Sequence, residues 1–155
     1  MSGKLSTIGL GPGDDRYLTR EALDALATAE ALYGYGPYLD RVPPREGQSR
    51  HASHNREEAA RARAALSHAA SGANVAIVSG GDPGVFAMAT AVLEEAREWP
   101  TVQVRVIPGM TAAQAVASRV GAPLGHDYAV ISLSDRLKPW DVIATRLAAA
   151  AAADD

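Results

Sequence analysis

The chain has 155 residues, 47% of them hydrophobic, with a formal net charge of −3 and no cysteine. That supplies the core of one domain, or of one domain and part of another, argues against disorder, and gives no general attraction to nucleic acid or anionic membrane. Disulfides, thiolate zinc sites and a cysteine nucleophile are excluded; no apolar run approaches the ~20 residues of a membrane span, and Met1-Ser2-Gly3-Lys4 lacks a signal-peptide core, so a cytoplasmic protein is expected.

Leu5 to Leu10 reads as a short buried strand. Thr19 is placed to cap a helix with Glu21 in its first turn, running through Leu23 and Leu26 toward Ala31. Leu32 to Tyr35 is a second strand, and Pro37 to Ser53 reads as an irregular surface loop. Asn55-Arg56-Glu57-Glu58 has the form of a capping box for an alanine-rich helix that ends at Gly72. Asn74 to Ser79 lacks polar alternation, as a strand buried on both faces does. Helix is expected over Val85 to Trp99, strand over Val102 to Ile107, and helix over Thr111 to Arg119, closed by Gly121. Tyr128 to Leu133 reads as a fifth strand, and Pro139 opens a last helix toward Ala153. The alternation predicts an α/β fold with a mostly parallel five-stranded sheet and helices on both faces. Ending after a helix suggests a fragment whose next strand is missing.

Two glycine-rich turns follow strands: Ile8-Gly9-Leu10-Gly11-Pro12-Gly13-Asp14 and Ser79-Gly80-Gly81-Asp82-Pro83-Gly84. Both are expected at the carboxyl ends of strands, where open α/β sheets bind ligands, and so to share a cleft. The first is a poor dinucleotide fingerprint. Asp14 replaces the third glycine, Pro12 removes a backbone donor, and Tyr33-Gly34-Tyr35 lacks the ribose-binding acid. No Gly-Lys-Ser/Thr follows either turn, so a Walker loop is excluded. A tight turn without ligand remains an alternative for the first. In the second, Gly80, Gly81 and Gly84 cost more backbone entropy than an ordinary turn requires. Asp82 there either caps the next helix or holds a cationic ligand group.

Gly9 to Asp14, Ser79 to Ala89, Ile107-Pro108-Gly109-Met110-Thr111-Ala112-Ala113 and Gly121-Ala122-Pro123-Leu124, in that order, resemble the tetrapyrrole (precorrin) methylases. Gly34 to Leu39, Val78 to Ala89, and Ile131 to Asp135 with Pro139-Trp140 look most like the branch acting on C17 of precorrin-3B. The resemblance implies an S-adenosylmethionine-dependent methyltransferase of cobalamin synthesis, methylating C17 with ring contraction. It implies two α/β domains with the cofactor between them, and a homodimer. Residues 1–120 would be the N-terminal domain, and 121–155 a linker with the first strand and helix of a truncated second domain. A C11 or C20 methylase, or an inactive fragment or binding domain of the same fold, are the alternatives.

The same resemblance implies that Pro12 lines the cleft, with Gly11 toward the substrate. It assigns Gly80, Gly81 and Asp82 to the methionine portion of the cofactor, and Val85 to an apolar contact. Thr111 and Ala112 would lie against the cofactor, and Leu133 near the adenosine. The sulfonium donor carries its own activated leaving group, so alignment can supply much of the catalysis, with no nucleophile or metal cluster required. For ring contraction the acid and base are unassigned; Asp14, His126 and Asp127 are candidates. The stretch holding Arg41, Arg45, Arg50, His51, His54 and Arg56 is locally basic. Arg45 and Arg50 are expected to meet the substrate's carboxylate arms by forked hydrogen bonds. Tyr33, Tyr35 and Tyr38 follow the second strand, and one or more of them is expected to approach the cleft.

Overall fold

The structure, a computed structural model, describes residues 3–136 and 138–153. The chain forms two compact units, Met1–Val116 and Ala117–Asp155.

The first unit holds β1 (Lys4–Gly9), α1 (Arg20–Thr28), β2 (Ala31–Tyr35), α2 (Gly36–Leu39), β3 (Ser49–Ser53), α3 (Glu58–Ala70), β4 (Asn74–Ser79), α4 (Met88–Glu95) and β5 (Gln103–Ile107). A short helix, α5 (Ala112–Ala117), follows. The strands form one parallel sheet in the order β3-β2-β4-β1-β5. Alternation along the strands feeds two cores. Leu5, Tyr33, Val75 and Ile77 pack with Ala62, Ala65, Leu66 and Ala69 of α3 and with Met88 and Val92 of α4. On the other face Ile8, Leu32, Ala76, Val78 and Ile107 pack with Ala22 and Leu26 of α1, with Leu39 and with Val42. β4 lies between both cores, and Val75 through Val78 have no exposed surface. Burying each of its Val and Ile side chains contributes roughly 1.5–3 kcal/mol.

Thr19 caps α1, its hydroxyl accepting from Ala22 N at 3.1 Å. Gly72 follows α3 with φ 101°, and Gly121 follows α5 with φ 94°. The Ala122 N to Ala117 O bond of 2.8 Å closes that second helix end in the manner of a Schellman motif.

Four expectations need correction. The stretch Pro37 to Ser53 is not irregular throughout, because it contains α2 and β3. β3 is a polar edge strand, Ser-Arg-His-Ala-Ser, fixed by its ladder with β2 rather than by an apolar pattern. Tyr128 to Leu133 forms no strand. The sheet does have five strands, but β3 is the fifth member. The expected helix from Val85 starts only at Met88, since Phe86 takes φ 52°, and it ends in a 3-10 turn, Ala96–Glu98. Asn55 caps nothing: α3 has Glu57 at its N-cap, whose carboxylate accepts from His54 N at 2.9 Å.

The second unit contains α6 (Trp140–Ala152), which Pro139 precedes as N-cap. The described residues between Ala122 and Pro139 have no helix or strand.

At the β2–β3 pair, Tyr33 lies opposite His51, and their rings stack at 4.3 Å and 12°. The Tyr33 hydroxyl is 3.1 Å from Nδ1 of His68. Burial, and then the neighbouring His68, lower the pKa of His51. The fold therefore favours the neutral ring, and the unfolded chain binds more protons as the solution is acidified. This contribution to stability is present above about pH 6.5 and is lost as the pH falls through the depressed folded value. Denaturant midpoints compared at about pH 7.5 and about pH 5 are expected to fall less in His51→Phe than in the parent; an equal fall would contradict this role.

Candidate functional site at three strand ends

β1, β4 and β5 end side by side, with Gly9 opposite Ser79 and Ile8 opposite Ile107. From β1 the chain crosses to β2 by way of α1 on one face; from β4 it crosses to β5 by way of α4 on the other. Adjacent strands thus send their connections in opposite directions, which makes a topological switch point between β1 and β4.

The two glycine turns meet at that point. Gly11 N donates to Gly81 O at 3.1 Å, and Gly81 N donates to Gly11 O at 2.9 Å. Both residues have left-handed backbones, with φ of 69° and 62°. A residue with a side chain would be strained in either position.

Asp82 ties in the third turn. Its Oδ1 accepts from Gly84 N at 2.7 Å, and its Oδ2 from Gly109 N at 3.0 Å. It caps no helix: Ala87 is the N-cap of α4 and has no side-chain cap bond. The carboxylate instead bridges the turns after β4 and β5.

Other glycines serve packing. A Cβ on Gly9 would lie 2.6 Å from Gly109 N and 2.7 Å from Gly81 O. A Cβ on Gly80 would meet the Tyr38 ring at 2.7 Å. Gly81 differs: the nearest atom to its Cβ position is Met110 O at 3.9 Å. The Cβ side of Gly81 is therefore open, while its N–H and C=O are both engaged by Gly11.

The family profile of the Tetrapyrrole (Corrin/Porphyrin) Methylases matches residues 4–155. The chain belongs to the tetrapyrrole methylases. It is 69% identical over 154 residues to the cobalamin biosynthesis protein CobIJ of Mycobacterium tuberculosis H37Rv, covering 99% of this chain and 30% of that protein. It is 55% identical over 157 residues to a precorrin-3B C(17)-methyltransferase from Sinorhizobium sp, covering 99% of this chain and 62% of the relative. A crystal structure of the methyltransferase CobJ superposes with a TM-score of 0.94 at 47% identity, over 99% of this chain and 65% of that one. The chain thus spans less than two thirds of the length of these relatives.

On this methylase fold, Gly11, Pro12, Gly80, Gly81, Asp82 and Thr111 lie on the turns after β1, β4 and β5, and Ala112 is the first residue of α5. The Thr111 hydroxyl accepts from Gln114 N at 3.3 Å, and the Gln114 side chain accepts from Thr111 N at 3.3 Å, a capping box for α5. Val85 is 41% exposed, and the left-handed Phe86 beside it is 66% exposed. Leu133, His126 and Asp127 belong to the second unit, and Leu133 does not end a strand. Among the described residues, no group of three or more His, Asp or Glu is arranged to hold a metal ion.

Asp14 caps a 3-10 turn through Arg16 N at 3.0 Å and pairs with the Arg16 guanidinium at 2.9 Å, an arrangement for shaping the loop. Arg45 and Arg50, expected to meet the substrate's carboxylate arms, each donate to main-chain carbonyls in the folded chain. Arg45 donates to Ala29 O at 2.5 Å, and Arg50 donates to Val42 O at 2.9 Å and to Leu39 O. Carbonyl oxygens at the ends of helix and strand are nearby acceptors that solvent cannot fully supply, and the guanidinium fork satisfies them. Of the three tyrosines expected near the cleft, Tyr38 covers Gly80. Sequence reading missed that Arg41 donates into the first turn. An arginine in a basic loop carries no signal of which carbonyls it will meet.

The packing asymmetry among the glycines is testable. Gly9→Ala forces a Cβ onto main-chain atoms and is expected to destabilise by on the order of 1–3 kcal/mol. Gly13 has nothing within 4 Å of its Cβ position, and Gly13→Ala is expected to stay within about 0.5 kcal/mol of the parent. Thermal melts of both variants measure the contrast, and equal melting temperatures would refute it.

Proposed function

We propose that the joined turns are the seat for S-adenosylmethionine in a methyltransferase of cobalamin synthesis, acting on C17 of precorrin-3B or its cobalt-bearing counterpart. The observation that carries this reading is the reciprocal Gly11–Gly81 bridge with open space at the Gly81 Cβ position, at a switch point in a chain of this family. The choice of C17 rests on the activity for which the 55%-identical relative is named. A homodimer and a cytoplasmic location extend the same proposal from the family resemblance.

The residues present fit such a cofactor. Its amino-acid end needs a close approach to main chain, and a side chain at Gly81 would fill the open space beside the bridge. Pro12, Val85 and Thr111 belong to the same turns, and with Ala112 they supply apolar and main-chain contacts around it. The cofactor, when bound, supplies a methyl group on a positively charged sulfur. The chain's own contribution is alignment: Asp82 holds the second and third turns at a fixed spacing, so the donor is presented in one orientation. Carboxylate oxygens already accepting from main chain do not drift toward the ligand, which preserves that geometry.

Calorimetric titration of the chain with S-adenosylhomocysteine is expected to show saturable binding. Gly81→Val is expected to weaken it by roughly tenfold or more, as steric blockage and left-handed strain together act on the seat. No heat of binding from a folded chain would overturn the cofactor seat. For the acceptor, a labelled methyl donor should mark C17 of precorrin-3B by NMR; label at C11 or C20 would move the chain to another branch of the family.

A further inference from the structure

The first turn wraps around a cation that belongs to the protein. Arg41 follows α2, and its guanidinium donates to three carbonyls of that turn. Nη2 reaches Leu10 O at 2.6 Å and Gly13 O at 2.9 Å, and Nη1 reaches Gly11 O at 3.2 Å. Gly11 O is the same atom that accepts from Gly81 N. One carbonyl therefore joins the arginine to the seam between the two glycine turns.

Arg41 is itself held. Its N–H donates to Tyr38 O at 3.3 Å, and Val42 N donates to Leu39 O at 2.9 Å, which winds the end of α2. Arg50, on edge strand β3, donates to Val42 O and Leu39 O on either side of it. A line of hydrogen bonds thus runs from the sheet edge through the end of α2 and the Arg41 fork to Gly11, and from there to Gly81. Arg41 Nε is buried without a partner among the described residues. That polar atom is left unsatisfied while both terminal nitrogens serve the turn, so the turn's demand sets the side-chain position.

We propose that Arg41 is a positioning residue for the ligand seat: by gathering the carbonyls of Leu10, Gly11 and Gly13, it holds the first turn in the conformation from which Gly11 bridges to Gly81. Pro12 fixes only its own φ, and Gly11 and Gly13 on either side of it lack the Cβ that would restrict theirs, so the carbonyl directions of the turn need an outside partner. A planar fork with several donors can satisfy three divergent carbonyls at once, whereas an ammonium is a single point on a flexible stem. The substrate-side consequence rests on the cofactor-seat reading above; the effect on the turn does not.

The test has two readouts. Amide hydrogen exchange at Gly11 and Gly81, referenced to Ile77 in β4, reports on the turn without any ligand. Titration with S-adenosylhomocysteine reports on the seat. Arg41→Met should accelerate exchange at Gly11 and Gly81 by roughly tenfold or more, relative to Ile77, and weaken ligand binding by a similar factor. Arg41→Lys should fall between Arg41→Met and the parent in both measurements. It keeps the test available should Arg41→Met not fold. Arg45→Met, which removes a bond to Ala29 O on the far side of α1 from the turn, should leave exchange at Gly11 and Gly81 unchanged. Unaltered exchange at Gly11 and Gly81 in Arg41→Met and Arg41→Lys overturns the inference. Faster exchange in a protein whose parent form binds no S-adenosylhomocysteine upholds the role of Arg41 in the turn and rejects the seat.

Discussion

The arrangement of the strand-end turns depends on one main-chain contact, the pair of hydrogen bonds between Gly11 and Gly81. The connections that leave β1 and β4 run to opposite faces of the sheet, which leaves a notch between the two strand ends. Here the chain closes the base of that notch with backbone, which is possible only because both residues adopt left-handed conformations that a Cβ would strain. Gly9 and Gly109 then approach each other so closely that neither could carry a side chain. The third turn joins through Asp82, whose two oxygens receive main-chain N–H groups from either side. The result is a platform made chiefly of peptide groups, suited to a ligand recognised through backbone and positioned rather than chemically attacked.

Four arginines in this molecule act on its own backbone. Arg41, Arg45 and Arg50 lie within ten residues of sequence, and each directs its guanidinium to carbonyl oxygens. Arg61 behaves alike in the first core: it is 5% exposed and donates to Ser53 Oγ and His54 O, and burial lowers its pKa. A parallel sheet with short connections leaves many carbonyls at helix and strand ends without a regular partner, and arginine is the side chain best shaped to collect them. Within this basic stretch Arg41 serves the first turn, while Arg45 and Arg50 serve carbonyls at the ends of α1 and α2.

The central strands, the capped helices and the two glycine turns were legible because each follows from local chemistry. Asn74 to Ser79 announces a strand buried on both faces, Thr19 announces a helix start, and Gly72 and Gly121 announce helix ends. The ordered set of glycine motifs also carried the family. β3 was not legible: Ser49 to Ser53 has neither apolar alternation nor β-branched residues, and its strand character exists only in its ladder with β2. Tyr128 to Leu133 shows the converse, a suitable composition that forms no strand. The helix start at Met88 was hidden as well, since no composition signals a left-handed phenylalanine at position 86.

What the sequence determined by itself was the class of fold, the strand-end position of the glycine turns and the residue types available there. Those are consequences of periodicity and of backbone freedom, both of which act over a few residues. What only the tertiary structure decided was the partner of each polar group: that Gly11 pairs with Gly81 across 70 residues, that Asp82 bridges rather than caps, and that Arg41 faces the turn while Arg45 and Arg50 serve other carbonyls. A hydrogen bond needs its donor and acceptor within about 3 Å, and only the folded order of strands brings such distant residues that close.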